Sequence, residues 1–168
     1  MLGIHKATEA DLSLIKSLAH EIWPPTFGEI LSKGQIEYML DMMYSLPSLR
    51  KQMDEGIEFL LAVENQKTVG FSSIQTDYQK TGKTKIHKLY LLPETQGKGY
   101  GRRLIDHIAG IALQNGDSAL VLNVNRFNRA YDFYLKTGFE KVGEENIDIG
   151  NGYLMEDFIL ERSLMHAI

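Results

Sequence analysis

The sequence predicts a single mixed α/β domain whose sheet combines antiparallel and parallel strands and is flanked by helices. Three observations carry this. Apolar residues recur at helical spacing through Met53, and the pattern turns strand-like from Ile57. Three strand-like stretches then follow one another without a helix between them, as in an antiparallel meander. Residues 84–124 read strand–helix–strand, which requires a right-handed parallel crossover. The 168 residues suffice for one domain that buries roughly two-thirds of its unfolded surface.

Residues 3–7 form a short first strand. Thr8-Glu9-Ala10-Asp11 then supplies a helix start, a hydroxyl cap with a carboxylate three residues on. Leu12, Ile15, Leu18, Ala19 and Ile22 give that helix its apolar face, and Pro24-Pro25 is expected to stop it after Trp23. A second start stands at Ser32-Lys33-Gly34-Gln35, with Ile36, Met39, Leu40 and Met43 at helical spacing. A third helix follows with Pro47 in its first turn and Leu49 and Met53 inside. Ile57–Glu64 and Thr68–Gln75 are strands around an Asn65-Gln66-Lys67 turn. After a polar loop at 79–83, Thr84–Leu92 is a strand halted by Pro93. A glycine-rich turn leads into a long amphipathic helix with Ile105, Ile108 and Ala112 on one face, ended by Asn115-Gly116. A strand at Ala119–Val124 and a helix from about Asn128 to Thr137 follow, with Gly138 as left-handed C-cap. Two strands, 139–147 and 153–162, flank the turn Gly150-Asn151-Gly152.

Composition excludes several function classes. The chain has no cysteine, which rules out disulfide scaffolds, thiolate metal centres and cysteine nucleophiles. A net charge of -4 argues against binding nucleic acid by broad phosphate neutralisation. No stretch approaches the ~20 apolar residues of a membrane span, and the N-terminal residues lack a signal-peptide core. The expected compartment is the cytoplasm. The histidines His5, His20, His107 and His166 show no metal-site spacing.

Gln96-Gly97-Lys98-Gly99-Tyr100-Gly101, between a strand and a helix, is the most informative segment. Glycines let the backbone turn tightly and let a ligand approach the main-chain amides. Those amides open a helix whose first donors lack intrahelical partners, and the helix dipole adds positive potential. With Lys98, Arg102 and Arg103 close by, the segment reads as a phosphate or pyrophosphate cradle. The dinucleotide fingerprint fails because the third glycine comes one residue early, and the P-loop fails because Gly99 follows Lys98.

This segment matches [QR]-x-x-G-x-[GA] and follows the apolar run Leu89-Tyr90-Leu91-Leu92-Pro93. Downstream stands Asn128-Arg129-Ala130-Tyr131-Asp132-Phe133-Tyr134-Leu135-Lys136-Thr137-Gly138-Phe139. Together these blocks resemble the GNAT N-acetyltransferases. Asn128 stands six residues before Tyr134, where many members of that family have seven. The resemblance implies acetyl-CoA as donor, a GNAT-like fold over residues 1–168 and a cofactor-binding core at about 84–140. The acceptor side would lie at about 8–56 and 147–162. It implies main-chain pairing of the pantetheine arm near Leu89, Tyr90 and Leu91, in a gap between splayed parallel strands. Amides of Gly97, Lys98, Gly99, Tyr100, Gly101 and Arg102 would hold the pyrophosphate, with Gln96 and Asn128 completing the cofactor contacts. A homodimer is also implied.

An alkylammonium has a pKa of about 10, so roughly one molecule in a thousand is nucleophilic at neutral pH without help. The resemblance makes Tyr134 the acid for the departing thiolate and the Leu91 N–H the carbonyl polariser. His87 and Glu94 are weak candidates for the base, and water chains serve in many family members. The first two helices and the last hairpin are where the family binds acceptors. Trp23, Phe27, Tyr38 and Tyr44 there could wall an amine or form core; His20 and Glu21 could add polarity; Met155, Glu156 and Asp157 lie on the hairpin. The leading acceptor is a small-molecule amine such as a polyamine. The alternatives are a protein or peptide amine, or a non-catalytic acetyl-CoA sensor.

Overall fold

The computed structural model describes residues 1–164. Its contacts divide the described residues into two compact units, Met1–Gln75 with Lys88–His107, and Thr76–His87 with the described residues from Ile108 onward.

In the first unit, β1 (Leu2–Lys6) precedes three helices, α1 (Leu12–Phe27), α2 (Lys33–Tyr44) and α3 (Leu46–Asp54). Local chemistry starts each of these helices, and at α3 the cap is a residue the sequence reading did not name. The Thr8 N–H donates to Asp11 Oδ2 at 2.9 Å across a 3₁₀ turn before α1. Ser32 and Ser45 cap α2 and α3, accepting from the N–H of Gln35 (3.1 Å) and Ser48 (3.3 Å).

The expected stop after Trp23 is corrected: α1 runs through Pro24 and Pro25 to Phe27. Two prolines remove two donors but keep a helical φ, and the residues one turn back, His20 and Glu21, are exposed, so water can solvate their carbonyls. The Gly28 N–H closes the helix on the Pro24 carbonyl at 2.8 Å. Trp23 and Phe27, both buried with ring centroids 4.5 Å apart, anchor the turn on either side of the prolines.

Strands β2 (Glu58–Glu64) and β3 (Lys67–Gln75) pair antiparallel, and β1 pairs antiparallel with β2. β4 (Thr84–Leu91) begins in the second unit and ends in the first; α4 (Tyr100–Gln114) runs the other way. The second unit adds β5 (Ala119–Asn125), α5 (Ala130–Lys136), β6 (Glu140–Gly150) and β7 (Tyr153–Ser163). Strand order is β1-β2-β3-β4-β5-β7-β6. The parallel β4–β5 ladder covers Thr84–Ile86 against Leu120–Leu122 and ends there, as the crossover over 84–124 requires. β7 pairs antiparallel with both β5 and β6. The mixed sheet flanked by helices is therefore as expected.

One buried carboxylate organises the approach to β4. Asp117 Oδ2 accepts from the Asp77 N–H (2.9 Å) and from Thr84 Oγ1 (2.6 Å), and Oδ1 accepts from Asn115 Nδ2 (3.2 Å). Burial pushes this carboxyl up, but the three donors outweigh it and hold it below the usual aspartate value. Because the folded pKa is depressed, the stabilisation is present above the unfolded value and is lost as pH falls through the folded one. Asp117→Ala strands three donors, and we expect it to cost about 3 kcal/mol in urea unfolding at pH 7; an unchanged midpoint would show that the 77–84 turn does not depend on this residue.

Candidate functional site

The C-terminal end of β4 is pressed against β3. The Leu92 N–H donates to the Val69 carbonyl at 2.8 Å, and Ser72 Oγ donates to the Lys88 carbonyl at 2.5 Å. Between them stands Gly70, where an added Cβ would lie 2.5 Å from the Tyr90 carbonyl oxygen and 2.5 Å from Leu91 Cδ2. A bulge sits at the same place, since Ala62 faces Gly70 while Val63 faces Thr68. Leu89, Tyr90 and Leu91 are half-buried.

A 3₁₀ turn over Pro93–Thr95 follows, closed by Thr95 Oγ1 on the Leu92 carbonyl at 2.7 Å. Gln96, Gly97, Lys98 and Gly99 then face solvent. Gly97 and Gly99 have φ of +83° and +77°, with nothing within 4 Å of a Cβ built at either. Backbone conformation rather than packing demands these glycines, and the space above them is open. The Arg103 N–H meets the Gly99 carbonyl at 3.2 Å as an i to i−4 bond of α4. The amides of Tyr100, Gly101 and Arg102 stand ahead of it, at the positive end of a 15-residue helix. This arrangement fits a diphosphate held by main-chain donors.

The charged side chains around the turn are more tightly held than the sequence suggested. Lys98 Nζ lies 3.2 Å from Glu64 Oε2, and the Tyr100 hydroxyl donates to the same carboxylate. Arg103 Nη2 reaches the Leu2 carbonyl at 3.3 Å, which draws its guanidinium toward β1. Glu64 thus fixes two turn residues from the end of β2. Sequence reading missed it, because nothing local to Glu64 marks a partner so far along the chain.

Trp23, Phe27 and Tyr44 form a ring cluster with Phe71 and Tyr90, at centroid separations of 4.5 to 6.3 Å. All but the half-buried Tyr90 are buried, so of the two sequence readings these rings take the core one. Tyr38 is half-buried on α2, and His20 is exposed with Nδ1 2.9 Å from the Lys16 carbonyl. Beneath the cluster lies Lys88, a buried amine the sequence reading passed over. Its Nζ donates to Gln52 Oε1 at 2.6 Å and lies 5.5 and 5.8 Å from the ring centres of Tyr44 and Phe59. Gln52 Nε2 in turn donates to the Met43 carbonyl at 2.9 Å, tying α2 and α3 to β4. Burial lowers the Lys88 ammonium to about 8.

Asn128 and Tyr134 belong to the second unit. Asn128 Oδ1 accepts from the Ala130 N–H at 2.9 Å, which starts α5. Tyr134 is buried on α5, with its ring 5.4 Å from Phe133 and 5.5 Å from Phe139. Gly138 takes φ +97° just beyond, as a C-cap requires. Burial pushes the Tyr134 phenol well up, so it carries its proton at neutral pH. His87 is half-buried with its ring edge-on to Tyr78 at 5.5 Å. Glu94 is exposed and lies 3.7 Å from Lys67 Nζ, as its position after Pro93 suggests.

Comparison with known proteins agrees with this geometry. A family model described as an acetyltransferase (GNAT) domain matches residues 29–154. An uncharacterized N-acetyltransferase of Bacillus subtilis (strain 168), YuaI, is 27% identical over 161 residues, covering 93% of this chain and 90% of that protein. The ribosomal protein bS18-alanine N-acetyltransferase of Haemophilus influenzae is 28% identical over 99 residues, or 59% of this chain and 66% of that protein. The crystal structure of PaiA N-acetyltransferase from Thermoplasma acidophilum in complex with coenzyme A superposes with a TM-score of 0.80. It is 29% identical, covering 97% of this chain and 99% of that one.

Two predictions follow from β4. Gly70→Ala forces the Tyr90 backbone aside; we expect a loss of about 2 kcal/mol in denaturant unfolding and weaker binding of coenzyme A by calorimetry. For Lys88 the folded pKa is lowered, so the unfolded chain holds one more proton between pH 8 and 10.5. The stability of the wild type relative to Lys88→Met should therefore rise across that window, by about 3 kcal/mol. A flat difference would mean that Lys88 stays charged in the folded chain.

Proposed function

The chain belongs to the GNAT acetyltransferase family and is an acetyl-CoA-dependent N-acetyltransferase; from this premise we propose that its acceptor is a small-molecule primary amine such as a polyamine. The observation that carries the donor half is the Gln96–Gly101 turn. Its two left-handed glycines leave open space over the amides that start α4.

Bound acetyl-CoA supplies a thioester carbonyl open to attack and a thiolate that can leave. In our reading the amides of Gly97 and of Gly99 to Arg102 hold the pyrophosphate, while the Lys98 N–H donates to the Thr95 carbonyl at 3.4 Å, and Gln96 and Asn128 flank the cofactor. Main-chain groups of Leu89, Tyr90 and Leu91 pair with the pantetheine arm as an added strand would. The Leu91 N–H polarises the carbonyl. Tyr134, kept protonated by burial, gives its proton to the sulfur and is then reprotonated. The absence of cysteine suits direct transfer without an acyl-enzyme.

A cationic acceptor is supported by the net charge of -4 and by the carboxylates Glu156 and Asp157 on the last hairpin. A second reading, acetylation of a protein amine, is favoured by the likeness to the bS18-alanine enzyme. Thiol release with polyamines, amino acids and alanine-started peptides decides between them. Turnover of peptides alone would overturn the small-amine assignment.

Gly99→Asp and Gly101→Asp place a charge against the cradle and should abolish coenzyme A binding in calorimetric titration. Tyr134→Phe should bind normally and acetylate roughly a hundredfold more slowly. Equal loss of binding in Tyr134→Phe would make it a packing residue.

A further inference from the structure

Opposite charges that face each other across a ladder ordinarily pair with one another. Glu64 and Lys67 form the last pair of the β2–β3 ladder, joined by the left-handed residues Asn65 and Gln66. Yet both reach across to the segment that follows β4. Lys67 Nζ lies 3.7 Å from Glu94 Oε1, a contact between exposed groups that contributes little. Glu64 is the more enclosed, with its side chain 19% exposed. Its Oε2 and Oε1 lie 3.2 and 3.3 Å from Lys98 Nζ, and Oε2 also accepts from the Tyr100 hydroxyl. Lys98 Nζ stands 5.8 Å from the centre of the Tyr100 ring, so the three side chains close a triangle. All three belong to the first unit.

The residue between the two anchored side chains is Gly99. Its φ is +77°, and nothing lies within 4 Å of a Cβ built there. A glycine in open space can visit many conformations, and the main-chain bonds nearby restrain it from a distance. The Lys98 N–H meets the Thr95 carbonyl at 3.4 Å before it, and the Arg103 N–H meets the Gly99 carbonyl at 3.2 Å after it. Pinning residues 98 and 100 to one carboxylate restricts the chain on both sides of the glycine. Tyr100 is also the first residue of α4. Arg103 reaches the Leu2 carbonyl at 3.3 Å, and Leu2 is the residue opposite Glu64 in the β1–β2 ladder. The start of α4 is therefore held to the neighbouring ends of β1 and β2 by side chains.

We propose that Glu64 is a positioning residue of the donor site: by holding Lys98 and Tyr100 on one carboxylate, it keeps the backbone at Gly99 in the conformation that presents the α4 amides to the pyrophosphate. This rests on the donor reading above. Charge makes the claim sharp. A carboxylate beside the turn repels a diphosphate and takes up the Lys98 ammonium, so on charge alone its removal would tighten binding. Positioning predicts the opposite sign.

The test uses the full chain, coenzyme A as ligand and urea unfolding to verify that each variant folds. Glu64→Ala should raise the Kd for coenzyme A in calorimetric titration roughly tenfold, on the order of one residue's backbone freedom. Glu64→Gln, which keeps an oxygen for the Tyr100 hydroxyl, should recover most of that loss. Tyr100→Phe removes one anchor and changes neither charge nor main chain; it should weaken binding about threefold. Added to Glu64→Ala it should cost nothing more, because its partner is already gone. With an amine found to release thiol, Glu64→Ala should raise the KM for acetyl-CoA and leave kcat within about twofold. In the ligand-free chain, NMR order parameters at Lys98, Gly99 and Tyr100 should fall in Glu64→Ala. Unchanged or tighter coenzyme A binding in Glu64→Ala, wild-type affinity in Tyr100→Phe, or unchanged order parameters would overturn the proposal. Failure of the wild type itself to bind coenzyme A would strike the donor reading, and the proposal with it.

Discussion

One contact that no side chain could make governs the end of β4. At Gly70 the backbone of Tyr90 and Leu91 comes closer to β3 than any Cβ allows, and the bulge at Val69 sets this approach. Much that follows in the chain takes its direction there. The strand passes into the Pro93–Thr95 turn, the left-handed glycines reverse the backbone, and α4 starts with its amides toward open space. Glu64, just before the β2–β3 turn, secures the same region from outside through Lys98 and Tyr100. A glycine in mid-strand ordinarily weakens it; here it sets the main-chain groups on which the donor reading depends.

The buried charges are treated in three ways. Asp117 is surrounded by donors and stays ionised, as a structural carboxylate should. Lys88 meets one amide oxygen and two ring faces, enough to hold it but not to favour its proton. Asp157 faces another carboxylate across the ladder and shares with it one amide. The first arrangement stabilises a turn, the second ties helices to a strand, and the third leaves a local excess of negative charge at a strand end.

Local signals explain what was legible in the sequence. Ser32, Thr8 with Asp11 and Gly138 act within a few residues, and the structure places each where its chemistry indicates. The helical stop at Pro24 failed because a local rule met a tertiary anchor: the burial of Trp23 and Phe27 carries the helix past two missing donors. Glu64, Gln52 with Lys88, and Glu145 with Asp157 were illegible for the converse reason. Each draws its meaning from a partner on another element, and neither spacing nor periodicity encodes that pairing. Asp157 stands in the sequence as a hairpin carboxylate suited to a cationic acceptor, and only the register sets it opposite Glu145.

The depressed ammonium of Lys88 has a calorimetric consequence. At pH 9 the folded chain has mostly given up that proton, whereas the unfolded chain retains it, so unfolding draws close to one proton from solution. The buffer must supply it, and the heat of buffer ionisation enters the measured enthalpy. The same melting transition would thus show different enthalpies in buffers of high and low ionisation heat at pH 9, and a smaller difference at pH 6. One lysine beneath an aromatic cluster makes the apparent heat of unfolding a property of protein and buffer together.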